Sequence, residues 1–420
     1  MLISAIVRTV YLLLTFLAGL VLSKLVLPGQ FGIISLVILN ASLLSIVTGL
    51  GTDSLLLHKV TNNKWGFSQA AQFTLGAVAV QLVLFLALEC GSLLVWKKTL
   101  LSDESSADFW TDILYFLGLL LTEKYLALLY AFQKARLANV FLTIVALFYL
   151  VVLLLLSFVA KADFATVMEL FALQSLLQGL GLLSILYRYY KTEEKQIFKL
   201  VEFAQALKLS SVVMITNVIQ LLAYRIDFWL IKYFHGNADV GVYAIANKFT
   251  NLVWVVPNIM AQLLVPKFAQ LSKSEVSKIF STAFYGNLVG AAAALSGATI
   301  IYFYYLNPAY RIGLPAFFLM MPGYFFWAAV IYYGAYFSWS GRFTDNLLCS
   351  SCCFVLVLFA DMLLIPRFGI SGAACANSFA YTLVFILYLF LLRSRFSFTW
   401  KSLLLPPQKG LLKLLKSVAG

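Results

Sequence analysis

The sequence predicts an all-α, polytopic membrane protein of about twelve transmembrane helices, built as two six-helix halves with both termini cytoplasmic. Three observations predict it: an apolar composition, a row of long apolar runs, and a lopsided distribution of basic residues. Of the 420 residues, 62% are hydrophobic and 11% charged. A soluble domain is about half apolar and about a quarter charged.

Roughly 20 apolar residues are needed to cross a bilayer. Twelve such runs are present: 9–27, 32–57, 68–96, 110–131, 138–160, 164–187, 208–234, 238–264, 281–306, 315–337, 346–364 and 371–392. The first is too long for a cleavable signal peptide, and LPGQFG follows it in place of a small-residue cleavage site. One sizeable polar stretch, RYYKTEEKQIFKLVEFAQALK (188–208), divides the chain nearly in half. The expected organisation is an N-terminal bundle at 1–187, a basic cytoplasmic linker at 188–207, a C-terminal bundle at 208–392 and a basic amphipathic cytoplasmic tail at 393–420. Within that tail Lys413 and Lys416 stand one turn apart among leucines, a pattern that lies along a membrane surface.

Basic residues orient the spans, because Lys and Arg concentrate in cytoplasmic loops. With the N-terminus placed inside, twenty of them fall on the cytoplasmic side, chiefly at 188–208, 267–278 and 393–416, against seven outside. Three more, Lys124, Arg225 and Lys248, lie well inside spans. Most of the basic charge sits in short loops, which speaks against nucleic acid as a partner and for membrane lipids or an anionic ligand.

The halves resemble one another. PGQFGIISLVILN (28–40) and NADVGVYAIANKF (237–249) each carry a polar turn, an apolar residue, a glycine and then a helix. Gly32 and Gly241 are 209 residues apart, and six spans per half preserve orientation. Such a parallel repeat places a site between the halves.

A charge within the hydrocarbon is costly unless it meets water or a partner, so each intramembrane charge is a candidate functional group. Arg225 and Asp227 are two apart, about 200° around a helix, and do not neutralise each other. The turn near Gly236 is eleven residues after Arg225 and twelve before Lys248. At about 1.5 Å per residue the two cations share a depth of ~16–18 Å. Two cations at one level call for an anion and leave Asp227 as a free acid. Asn217 shares the Arg225 helical face, and Asn247 adjoins Lys248, so both are candidates to line the same cavity. Lys124, beside Glu123, is a mid-depth cation of the first half. Arg8 reads as a topological anchor or an inner-mouth gate. Asp53, among glycines, is a candidate gating or ion-carrying acid, with Asp227 and Glu123. Glu89 and Asp361 fall near outer span ends, where exposure to water is expected. A planar guanidinium grips two phosphate oxygens at once. A basic cavity lined by Asn, Gln and Tyr therefore suits a ligand with a phosphate head and sugar hydroxyls.

The five cysteines all lie in apolar runs, and the CxxC at 349–352 has no His or second CxxC with it. They read as packing residues. With two His and no His/Cys/acid cluster, no catalytic residue, metal or cofactor is expected. The acidic outer stretch SDESSAD (102–108) reads as a solvated loop.

RIDFWLI…ADVGVYAIANKFTNLVWVVPNIMAQLLVPKFAQL (225–271) and DMLLIPRFGISGAACANSFAYTL (361–383), with its P-x-x-G-x-x-G-A-A run, resemble the Wzx-type polysaccharide flippases. These belong to the multidrug/oligosaccharidyl-lipid/polysaccharide exporter superfamily. The resemblance covers essentially the whole chain. It implies two six-helix bundles around a V-shaped central cavity, alternating access, and transport of an undecaprenyl-pyrophosphate-linked oligosaccharide across a bacterial cytoplasmic membrane. It further implies work alongside a polysaccharide polymerase and chain-length machinery, with H+ or Na+ as a candidate coupling ion. Lys248 matches a basic position of that family and Asp227 an acidic one. Asp361 stands where the family more often has Asn, so no role carries over to it. The alternative is a cation-coupled small-molecule exporter of the same fold. Such exporters tend to carry an acid in the first span, and 9–27 has none.

Overall fold

The computed structural model describes residues 2–52, 56, 59–60, 65–102, 109–159, 163–191 and 200–405. In lipid every backbone N–H and C=O must be satisfied within its own segment, which makes helices the economical answer to long apolar runs. The helices are α1 (Leu2–Leu25), α2 (Pro28–Gly49), α3 (Phe67–Trp96), α4 (Phe109–Ala131), α5 (Ala135–Val159), α6 (Phe164–Tyr190) and α7 (Leu200–His235). They continue with α8 (Asn237–Thr250), α9 (Leu252–Leu264), α10 (Lys273–Tyr304), α11 (Leu314–Trp339), α12 (Phe343–Phe396) and the short α13 (Trp400–Leu404).

Ten of these helices are individually long and apolar enough to cross a membrane among the described residues. The protein is a multi-pass membrane protein. Two local features reconcile ten with the twelve runs of the sequence. α12 is 54 residues long but breaks at Gly369, whose φ of 55° and ψ of −136° are far from helical, so it is two spans in sequence. A positive φ is open to glycine without the Cβ clash other residues suffer. The eighth run is interrupted at Asn251 and forms the shorter pair α8 and α9.

Helix ends follow the punctuation of the chain. Pro28 opens α2, where it forfeits no intrahelical bond. Ser272 and Glu275 cap α10 reciprocally: the Glu275 carboxylate accepts from the Ser272 N–H at 2.8 Å, and Ser272 Oγ accepts from the Glu275 N–H at 3.4 Å. Gly236, at φ 86°, turns the chain from α7 into α8. At the α12 break the Ile365 carbonyl accepts from His235 Nε2 at 2.8 Å.

The chain divides into two compact units, Met1–Leu221 and Leu222–Gly420, with the boundary falling within the α7 stretch of sequence. In the first, α4 packs most closely against α6. A Cβ on Gly118 of α4 would lie 2.3 Å from the backbone nitrogen of Leu176, and one on Gly179 of α6 2.8 Å from the Gly118 carbonyl oxygen. Small residues permit this backbone-to-backbone approach. In the second unit α11 packs most closely against α12, where a Cβ on Gly323 would lie 2.4 Å from Cα of Ser378. The tenth span thus meets the twelfth as the fourth meets the sixth. Gly32 and Gly241 are likewise each the fifth residue of their helix, in α2 and α8.

Candidate functional site

In the second unit the side chains of α7, α8, α11 and α12 form two adjoining polar networks. In the first, Arg225 Nη1 donates to Asn247 Oδ1, and Asn247 Nδ2 donates to the hydroxyl of Tyr324. Asn251 Nδ2 also donates to Asn247 Oδ1, at 2.8 Å. Arg225 and Asn247 meet because each stands eleven residues from Gly236, on antiparallel helices. Rings gather around this network. Trp254 stacks on Tyr324 at 4.3 Å and donates from Nε1 to the Tyr324 carbonyl at 2.8 Å. Tyr224 stands 5.9 Å from Trp254 and edge-on to Trp327 at 5.5 Å.

The second network holds Asp227, which is fully buried. Its carboxylate accepts from the Tyr243 hydroxyl, from Asn377 Nδ2 at 2.7 Å and from the Phe228 N–H at 2.9 Å. Asp227 is therefore not the free acid that helix geometry alone predicts. The i, i+2 argument excludes Arg225 as a contact on the same face but says nothing of α8 and α12, which supply the donors. Near it lies Asp361, also fully buried, with no hydrogen-bond partner on either oxygen among the described residues. The expectation of water around Asp361 and Glu89 is thus corrected. Both are buried: Glu89 bonds to the turn at 97–102, and Asp361 is within electrostatic reach of Asp227 and Tyr243. Glu89 accepts from the Leu100 N–H at 3.1 Å and, with Asp112 on Ser102, ties down the turn at 97–102.

Lys248 is half-buried and makes no hydrogen bond or ion pair among the described residues. It adjoins Asn247 in sequence, which sets it one step around α8 from the residue that Arg225 grips. Asn217 is exposed on α7, two turns before Arg225.

The first unit has its own polar cluster. Lys124 is buried and donates to Thr52 Oγ1 at 3.1 Å. Glu123 accepts from Ser45 Oγ at 2.6 Å, so both neighbours of α4 reach toward the α2 segment. Gln81 of α3 is buried and neither end of its amide is hydrogen-bonded among the described residues. Gly49 makes the room: a Cβ there would lie 2.6 Å from Gln81 Nε2 and 3.3 Å from Lys124 Nζ. Arg8 is half-buried within α1, its guanidinium 4.9 Å from the Tyr11 ring centre. Asp53 lies outside the described residues, as do residues 406–420 of the tail. Asn377, Tyr243 and Gln81 were not singled out in the sequence, and Asp361 was read there only as an end residue in water. Asn377 stands in the quoted run at 361–383, which was the one available signal.

Comparison with solved structures places this architecture. A lipid II flippase MurJ in its inward closed conformation aligns with 100% of this chain and 91% of that one, with a TM-score of 0.71 and 14% identity. An inward-facing multidrug resistance MATE family transporter of the MOP superfamily aligns with 94% of this chain and 98% of that one, with a TM-score of 0.67 and 15% identity. An outward-facing transporter of that family aligns over 94% of both chains, with a TM-score of 0.67 and 14% identity. At these identities the likeness is one of fold. Comparison with curated protein sequences returns no match. The family model described as "Polysaccharide biosynthesis protein" matches residues 1–272. It takes in α1–α9 and the first of the two quoted runs, and with that match the chain belongs to the polysaccharide biosynthesis protein family.

Proposed function

We propose that the protein is a flippase. It carries an undecaprenyl-pyrophosphate-linked oligosaccharide from the cytoplasmic to the outer leaflet of a bacterial cytoplasmic membrane, for O-antigen, capsule or exopolysaccharide synthesis. The observation that carries this reading is Arg225, an intramembrane guanidinium held by Asn247 among the rings of Tyr224, Trp254 and Tyr324. A guanidinium suits a pyrophosphate, and ring faces suit sugars. Family membership supports a role in polysaccharide synthesis, and the fold of MurJ and MATE transporters supports movement between two states rather than catalysis.

In this reading Arg225 and Lys248 bind the pyrophosphate, with Lys124 as a further cation from the first unit. The glycan is carried across while the lipid chain stays in the bilayer, and alternating access exposes the bound head group first to the cytoplasm and then to the outside. Asp227 and Asp361 return the carrier: two buried carboxyl groups that act on each other electrostatically are stabilised by taking up a proton or a monovalent cation. The alternative of a cation-coupled small-molecule exporter draws on the MATE likeness alone, and α1 carries no acid.

The test is complementation. Flippase-null cells that accumulate a lipid-linked glycan on the cytoplasmic side are supplied with this chain. Wild type is expected to clear the accumulated glycan of its matching pathway, and Arg225→Ala to leave it in place. If Arg225→Ala and Lys248→Ala each clear it as well as wild type, the site assignment is wrong.

A further inference from the structure

An apolar groove of about 300 Å³ runs between α9 and α10 in the second unit. One wall is made by Val256, Met260 and Leu264 of α9. The other is the α10 stripe Lys278, Thr282, Gly286 and Gly290, four residues apart and so on one face. The two glycines create the trough, since nothing lies within 4 Å of where their Cβ atoms would be. Val256 is 63% exposed, so the groove opens onto an apolar surface.

The polar groups that α10 contributes to the groove descend in order. Lys278 lies near the start of α10, at the end that the basic residues place in the cytoplasm, with Glu275 close enough to act on it electrostatically. Thr282 follows one turn deeper. Asn287 lies deeper again. It lines the groove, is 6% exposed, and its Nδ2 has no hydrogen-bond acceptor among the described residues. Leaving a buried donor unpaired is costly. Beyond Asn287 the lining is apolar. From Lys278 to Gly290 is about 18 Å of helix, close to the ~15 Å of one leaflet's hydrocarbon.

We infer that this groove holds one chain of an anionic glycerophospholipid of the cytoplasmic leaflet, with its phosphate at Lys278 and Thr282 and an acyl ester carbonyl accepting from Asn287 Nδ2. The descent of cation, hydroxyl, amide and hydrocarbon matches the order of groups along such a lipid. A polyprenyl phosphate has no oxygen below its phosphate and would leave the Asn287 amide unpaired. An apolar helix of a second copy, packed on the glycines, would leave it unpaired too. The inference goes beyond the transport reading and does not require that a glycan be moved.

The test uses the full chain in phosphatidylcholine nanodiscs containing a little phosphatidylglycerol with a diazirine on its acyl chain. After irradiation, adducts are mapped by mass spectrometry. Adducts are expected to concentrate on 252–264 and 282–290. Asn287→Leu and Lys278→Gln are each expected to lower them at least about fivefold, the worth of one hydrogen bond. Gly290→Phe, which fills the trough, is expected to abolish them. Adducts on the exposed α5 residues Leu147, Phe148 and Leu155 should not change. Because Asn287→Leu keeps the branched side-chain shape and removes an orphan donor, its unfolding temperature should not fall below wild type. Unchanged labelling in all three variants overturns the proposal. So does equal labelling by diazirine phosphatidylcholine, stronger competition by a polyprenyl phosphate than by phosphatidylglycerol, or links between two copies across Gly286 and Gly290.

Discussion

The guanidinium of Arg225 donates to the side-chain oxygen of Asn247, which stands as far beyond Gly236 as Arg225 stands before it. The contact fixes a cation inside the membrane without cancelling its charge, because an amide is dipolar and neutral. In the proposed reading, Asn247 and its hydrogen bond to Tyr324 aim the guanidinium at the ligand. Arg225→Lys should keep the charge but lose the planar two-oxygen grip, cutting glycan export about tenfold. Arg225→Ala should reduce it further. Asn247→Leu should act like Arg225→Lys, by freeing the guanidinium from its support. The measure is glycan exported per cell at matched expression.

Asp227 and Asp361 should separate in their effects on stability. Asp227→Ala strips the acceptor from Tyr243 and Asn377 and should cost about 2–4 kcal/mol of unfolding free energy. Asp361→Asn removes a carboxyl group that has no hydrogen-bond partner among the described residues, so the purified variant should unfold at or above the wild-type temperature. The same variant should export glycan at a rate that no longer falls when the proton or sodium gradient is collapsed.

Close packing at Gly323 gives a third expectation. Gly323→Ala pushes a Cβ into the backbone of Ser378 and should destabilise by about 1–3 kcal/mol. Gly297→Ala meets nothing within 4 Å and should lie within about 1 kcal/mol of wild type, on the stabilising side through helix propensity. Thermal unfolding in detergent distinguishes the two.

In the first unit, Gly49→Val would displace the Gln81 amide and crowd the Lys124 ammonium. It should impair export as severely as Lys124→Met does, although no charge has been removed. Equal export by Gly49→Val and wild type would mean that this cluster has no part in transport.

Much of the fold was legible because lipid leaves few choices. Apolar run length set the spans, and the depth count across Gly236 anticipated that mid-helix residues of α7 and α8 share a level. The break at Gly369 was legible too, as a gap between two runs that the helix otherwise bridges. What the sequence could not reveal was which helix covers which. Asp361 looked like an outer-end residue in water, yet it is buried beside Asp227. Asp227 looked unpaired, yet its donors come from residues 16 and 150 positions away. Gln81 carried no signal at all, since an uncharged amide in an apolar run reads as ordinary helix.

The most direct test of the account is flipping by purified protein in proteoliposomes loaded with a fluorescent undecaprenyl-pyrophosphate oligosaccharide. Exposure to an impermeant glycosidase or lectin reports the leaflet. Wild type should move the labelled lipid between leaflets and the Arg225→Ala, Lys248→Ala double variant should not, while neither moves a small cationic dye. Dye transport without lipid movement, or lipid movement undiminished in the double variant, would contradict the account.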